Sequence, residues 1–236
     1  MAETNPYQNL SRKLAAVREE IARAAERSDR DPDDVRVIGV TKGHPIQAVH
    51  AALYAGLTDL AENRVEAFEE RYREVEAGRC RWHMVGRLQR RQAPALRGRV
   101  DLLHSLDSVR LAERLERTWE DGEPILPVLI QVNASGEDSK TGFTPEDVVE
   151  GAGRILEMGS LRPLGLMTMA PFTEDEGAVR ETFRALRQVR ERLEAELPSW
   201  EGRELSMGMS NDFTLAVEEG STMVRLGSAL FGERTG

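Results

Sequence analysis

Lysine is scarce in this chain of 236 residues: of its 32 basic side chains, only Lys13, Lys42 and Lys140 are amines. One cysteine, Cys80, excludes a disulfide framework and a cysteine-ligated metal centre. Aromatic residues supply only 5% of the chain, and no apolar run approaches the length needed to span a bilayer. The N-terminus lacks the basic segment and apolar core of a signal peptide. Acidic residues outnumber basic ones, 41 to 32, and Arg and Glu mix along the helical patterns, which argues against nucleic acid or anionic lipid as a partner. His44, His50, His83 and His104 show no metal-ligand spacing, and the glycines match neither a P-loop nor a dinucleotide fingerprint. The expectation is a soluble, cytoplasmic protein that binds no metal, nucleic acid or membrane.

Periodicity supplies the architecture. Leu10, Leu14, Val17 and Ile21 recur at helical spacing after Asn5-Pro6, which reads as a cap, so a leading amphipathic helix occupies residues 1–30. Eight strand-like segments follow, at 35–41, 57–61, 81–85, 100–105, 125–132, 161–169, 205–209 and 223–226. Helical patterns at 45–55, 65–77, 108–119, 145–158, 176–197 and 212–219 lie between them, and the stretch 87–99 is the weakest because it contains Pro94. Strand followed by helix, repeated eight times without a linker, predicts a single (β/α)8 TIM-type barrel over residues 1–236, with the leading helix as an addition.

In such a barrel the reactive groups stand at the C-terminal ends of the strands. That rule selects Lys42, Asn63, Gly86, Ser105, Asn133, Met167, Ser210 and Arg225. A chain that otherwise uses arginine gains nothing in charge from a lysine at the end of its first strand. Two readings stand open for Lys42: a Schiff-base amine of the kind that holds pyridoxal phosphate (PLP), or a long cation that closes a strand. Ser210, Gly227 and Ser228 fall in the last two strand-end segments, where barrels bind phosphate, although Ser210 alone also reads as a helix cap and Gly227 as a turn. Arg225 needs a partner inside the barrel: either a pyridine nitrogen, which it would keep unprotonated, or a barrel acid such as Glu62. Met167, Met169, Met207 and Met209 alternate at strand ends as core or as a soft wall for a planar ring, and His83 reads as a hydrogen-bonded core or rim residue.

The segments VIGVTKGHP around Lys42, AENRVEAF around Asn63, WHMVGRLQ from Trp82, SMGMSND from Ser206 and GSTMVRLG around Arg225 run in one order along the chain. Together they resemble the pyridoxal phosphate homeostasis protein family, related in fold to the N-terminal barrel of alanine racemase. The resemblance implies PLP held covalently by Lys42, with Arg225 at the pyridine nitrogen. It also implies phosphate contacts from Ser210, Gly227 and Ser228, and a ring pocket lined by Asn63, His83, Met167 and Met209. Arg91-Gln92 stands where the family commonly has Asn-Lys, Ala61 where Gly is frequent, and Ser228 where Thr is frequent. The expected role is a monomeric, non-catalytic protein that sequesters, buffers or delivers PLP, with apo PLP-dependent enzymes as transient partners. The alternative is an amino-acid racemase, which needs a second acid/base facing the lysine; Tyr7, Tyr54 and Tyr72 are read onto outer helices and do not supply it.

Overall fold

The computed structural model describes residues 7–120, 122–137 and 139–233. Eight strands pair in parallel and in chain order: β1 (Arg36–Val40), β2 (Asp59–Glu62), β3 (Arg81–Met84), β4 (Leu102–Leu106), β5 (Leu126–Gln131), β6 (Leu161–Met167), β7 (Glu204–Met209) and β8 (Met223–Leu226). The ring closes where β1 meets β8, with Arg36 opposite Met223 and Ile38 opposite Arg225. This is the (β/α)8 barrel expected from the alternating pattern. Most strands are a residue or two shorter than the apolar runs, and the thin run at 57–61 is shifted onto Asp59–Glu62. The shift has a physical cause: Leu57 packs in the outer core, while the Asp59 carboxylate turns inward to charged and imidazole partners.

Alternation along the strands divides the apolar residues into two cores. Ile38, Val40, Ala61, Leu102, Leu129, Met167 and Met223 fill the barrel interior. Val37, Leu60, Leu103, Val128, Leu166 and Met207 face the helices. The methionine set read as one wall is therefore split, because Met167 and Met169 belong to the interior and Met207 to the outer layer.

The helices are α1 (Leu10–Glu26), α2 (Ile46–Tyr54), α3 (Val65–Glu74), α4 (Val109–Glu116), α5 (Val148–Leu156), α6 (Glu176–Glu196), α7 (Phe213–Glu218) and α8 (Ser228–Phe231). Between β3 and β4 a 3₁₀ segment, Arg90–Leu96, replaces an α-helix, as Pro94 requires. The capping role read for Asn5-Pro6 lies outside the described residues. Helix α1 begins at Leu10, after a turn in which Leu10 N–H donates to the Tyr7 carbonyl at 3.0 Å. Tyr7 thus precedes the helix and is buried, its hydroxyl 3.2 Å from His44 Nδ1.

Helix α8 has only four residues and is too short to cover the seam between β8 and β1. Helix α1 packs against α7, α8 and α2 and fills that place in the outer ring. Its buried stripe is Leu10, Leu14, Val17 and Ile21. Arg27, just past its last turn, donates to Glu218 at the end of α7 across 2.7 Å. The leading helix is thus part of the barrel wall. Leu14 is 1% exposed, so Leu14→Ala is expected to cost about 2–5 kcal/mol in urea unfolding. A loss below about 1 kcal/mol would mean that α1 is not part of the cooperative unit.

Candidate functional site

Lys42 lies two residues beyond Val40, in the turn that follows β1 at the C-terminal mouth of the barrel. Its turn is held from behind. Thr41 Oγ1 donates to Glu62 Oε1, Glu62 pairs with Arg71 Nε at 3.1 Å, and Arg71 Nη2 donates to the His44 carbonyl. One buried ion pair therefore fastens the residues on both sides of Lys42. Burial pushes the Glu62 carboxyl up, and Thr41 and Arg71 oppose that shift. Its second oxygen, Oε2, has no hydrogen-bond partner among the described residues. Because Glu62 faces α3, it is not the partner of Arg225, which settles one of the two open readings of that arginine.

Arg225 sits on β8 and is 5% exposed. Nη1 donates to the carbonyl and the hydroxyl of Ser206, each at 2.7 Å, and Nη2 donates to the Thr168 carbonyl at 2.9 Å. No carboxylate among the described residues forms an ion pair with it. Burial lowers its pKa to about 10, with Asp212 opposing, so it remains a cation and a pure donor at neutral pH. A buried guanidinium held by neutral acceptors is costly and calls for a further acceptor.

Ser210 follows β7, but it does not cap the next helix. Its Oγ accepts the Ala229 N–H of α8 at 3.1 Å, while the Asp212 carboxylate accepts the Met209 N–H. One side chain thus ties the β7 turn to the β8 turn and leaves its own O–H proton to give away. Gly227 does not owe its identity to protein packing, since a Cβ there would lie 3.5 Å from the Val40 carbonyl, an ordinary contact. The missing side chain leaves the backbone open at the mouth. Gly208 differs, with φ of 93° and Ala216 only 2.6 Å from an added Cβ, so helix packing requires it. Ser228 is exposed at the start of α8.

Asn63 is half-buried just past β2, on the interior alternation of Ala61, and its carbonyl would be 1.9 Å from a Cβ on Gly86. Glycine at 86 is what lets the turns after β2 and β3 touch. Met167 is buried in the interior and Met209 is half-buried at the end of β7, opposite Arg225 in register. Both His83 nitrogens are already engaged, with Asp59 and with His104, which makes it an interior residue with only its carbon edge left for a ligand. Lys140, on the same rim, is held by the Met169 carbonyl at 3.0 Å and by Glu137. Gln92 caps the 3₁₀ segment and donates to Glu66, a structural role.

Ser206 and Thr168, which hold Arg225, and His104 behind Ser206 are site neighbours that sequence reading passed over, as is Asp59 at the other end of the interior. The available signal was polarity at interior positions of short apolar strands. Two open clefts, about 330 and 510 Å³, lie at the opposite, N-terminal end of the barrel and touch none of the strand-end residues.

The donor set at the mouth suits one kind of ligand. An amine, a buried guanidinium without a carboxylate, a free hydroxyl proton and an uncovered glycine backbone complement an aldehyde, an unprotonated ring nitrogen and a phosphate. PLP carries all three, and the residues present fit it.

Comparison with known proteins agrees. Residues 13–235 match the family model for the alanine racemase N-terminal domain. A pyridoxal phosphate homeostasis protein of Aquifex aeolicus is 39% identical over 230 residues, covering 96% of this chain and 99% of that one. Its counterpart in Escherichia coli K12 is 35% identical over 232 residues, covering 96% and 97%. Among solved structures, PipY of Synechococcus elongatus with PLP bound superposes with a TM-score of 0.82 at 31% identity, covering 94% of this chain and 100% of that one. Alanine racemase of Clostridium difficile shares the fold alone: TM-score 0.77 at 13% identity, covering 97% of this chain and 60% of that one. On sequence match along nearly its whole length and on the barrel that carries it, the chain belongs to the pyridoxal phosphate homeostasis protein family.

Proposed function

We propose that this protein binds PLP at the C-terminal mouth of its barrel and sequesters, buffers or delivers it without catalytic turnover. The observation that carries the reading is the β1–β8 pairing, which sets the turn that bears Lys42, just past β1, beside the strand that bears buried Arg225 and beside the Ser210–Ala229 link. When bound, PLP supplies an aldehyde that condenses reversibly with a primary amine. Lys42 is the amine, and the Glu62–Arg71 pair behind its turn keeps it at the mouth. Arg225 donates to the ring nitrogen and, being a cation, keeps that nitrogen unprotonated, which withholds the electron sink that racemases and transaminases exploit. Ser210 donates its free hydroxyl proton to the phosphate, Ser228 adds a second hydroxyl, and Gly227 admits the oxygens to the backbone. Asn63, Met167, Met209 and the carbon edge of His83 line the ring. The barrel and α1 act as one domain, and apo PLP-dependent enzymes are the transient recipients. A cytoplasmic setting suits the lone Cys80, whose thiol burial pushes up to about 12 and so out of redox chemistry.

The racemase reading needs an acid/base group across from Lys42. Tyr7 is buried against His44, Tyr54 on α2 is 92% exposed, and Tyr72 on α3 packs on Phe68. Tyr54 and Tyr72 belong to the outer helices and the Tyr7 hydroxyl is engaged by His44, which favours the carrier reading.

Three outcomes are expected. Borohydride treatment of the PLP-loaded protein places a stable pyridoxyl group on Lys42 by peptide mass mapping, and Lys42→Ala abolishes it; a label on Lys13 or Lys140 would refute the site. Ser210→Ala weakens PLP by roughly tenfold or more, since it deletes one charge-assisted hydrogen bond, and spares pyridoxal without its phosphate; equal losses for the two ligands would make Ser210 merely a brace between turns. Incubation with enantiopure amino acids yields no racemisation, transamination or decarboxylation above free PLP, whereas turnover that vanishes in Lys42→Ala would promote the racemase.

A further inference from the structure

A line of polar side chains crosses the barrel interior from the N-terminal end to Arg225. Asp59 Oδ1 lies 3.1 Å from His83 Nε2, and His83 Nδ1 lies 2.8 Å from His104 Nε2. His104 Nδ1 is 2.9 Å from Ser206 Oγ, and Ser206 Oγ is 2.7 Å from Arg225 Nη1. All five residues are buried, between 0% and 5% exposed. Each bond joins groups from different strands, and His104 and Ser206 are 102 residues apart in sequence.

The two ends fix the direction of every bond between them. A guanidinium only donates, so Ser206 Oγ accepts from Arg225. A carboxylate only accepts, and Asp59 is held ionised by His83 and Arg81 with a pKa of about 2, so His83 must present an N–H at Nε2. Burial above all, with the charge of Arg225 adding to it, keeps His104 neutral. It then has one N–H to place. On Nε2, that proton goes to His83 Nδ1, His104 Nδ1 accepts the Ser206 O–H, and every group is satisfied with both rings uncharged. On Nδ1, it would leave the Ser206 hydroxyl proton without an acceptor in this line and require a second cation, His83, in the same interior.

We infer that Asp59, His83, His104 and Ser206 form a one-way hydrogen-bond relay, Arg225 to Ser206 to His104 to His83 to Asp59, that delivers the counter-charge of Arg225 from the far end of the barrel and orients its guanidinium. The four are positioning residues. They do for Arg225 what a carboxylate in direct contact would do, without placing that carboxylate beside the cofactor. Asp59 can play this part because it stands at the foot of the barrel, where it borders an open cleft and is bonded bidentately by Arg81, whose side chain is 58% exposed. The relay itself is a property of the protein without ligand; only its effect on the cofactor rests on the PLP reading.

The test has two arms. In the full-length protein without PLP, long-range ¹⁵N–¹H spectra of labelled histidine, assigned by single substitution of each histidine, are expected to show His83 and His104 as neutral Nε2–H tautomers. A doubly protonated His83, or His104 protonated at Nδ1, overturns the relay whatever binds at the mouth. In the second arm, Ser206→Ala is expected to lower PLP affinity by roughly tenfold and to shift the visible absorption of the bound cofactor. Borohydride labelling at Lys42 should survive at saturating PLP, and Ser206→Thr should restore affinity and spectrum. Wild-type affinity and spectrum in Ser206→Ala would reduce the line to core packing. Absence of any Lys42 label in the wild type would instead sink the PLP reading and leave the tautomer result standing.

Discussion

Everything at the mouth depends on the pairing of β1 with β8. That seam joins strands from opposite ends of the chain, and it sets the turn that carries Lys42 beside the strand that carries Arg225. Either residue by itself has an ordinary explanation, a cation ending a strand or an arginine in search of an acid. Joined across a closed ring, they become an amine on the turn after β1 and a donor-only cation on β8, with the Ser210–Ala229 link between the β7 and β8 turns beside them.

A second constraint is the handling of charge in a closed interior. A guanidinium and a carboxylate both lie inside the barrel, yet they do not touch. Direct pairing would neutralise Arg225 locally and, on the PLP reading proposed above, would put an acid beside the ring nitrogen. Separation across two imidazoles and a hydroxyl satisfies both demands. Glu62, the other buried acid of β2, points away from the barrel axis and spends its charge on Arg71, where it steadies the Lys42 turn. The two acids of β2 therefore serve opposite ends of the barrel, Glu62 behind the Lys42 turn and Asp59 at the foot of the interior line.

The barrel was legible in the sequence because strands buried on both faces read as apolar runs and the helices between them carry a clear stripe. The strand-end rule then found Lys42, Ser210 and Arg225 without any knowledge of contacts. Other features were hidden for stated reasons. Asp59 looks like a turn residue, since nothing local reveals that it faces His83. The acceptors of Arg225 are mostly main-chain carbonyls, which no residue letter records. The cap that stood as the alternative for Ser210 is a local reading, whereas the partner it has, the Ala229 amide, lies on the next unit of the barrel. His104 and Ser206 were missed because a relay through the interior has no sequence spacing at all.

The substitution of α1 for a full eighth helix has a consequence in time. The apolar stripe of Leu10, Leu14, Val17 and Ile21 is synthesised before the barrel, but most of the surface it covers, on α7 and α8, is made only with the barrel's last units. During synthesis that stripe must stay exposed, or be shielded by something else, for nearly the whole length of the barrel. Contacts of this sequence separation form slowly and leave transient apolar surface. A nascent chain of this protein is thus an unsealed cylinder with a greasy helix trailing at one edge, and no part of the mouth can hold a ligand until the final strand has slotted in.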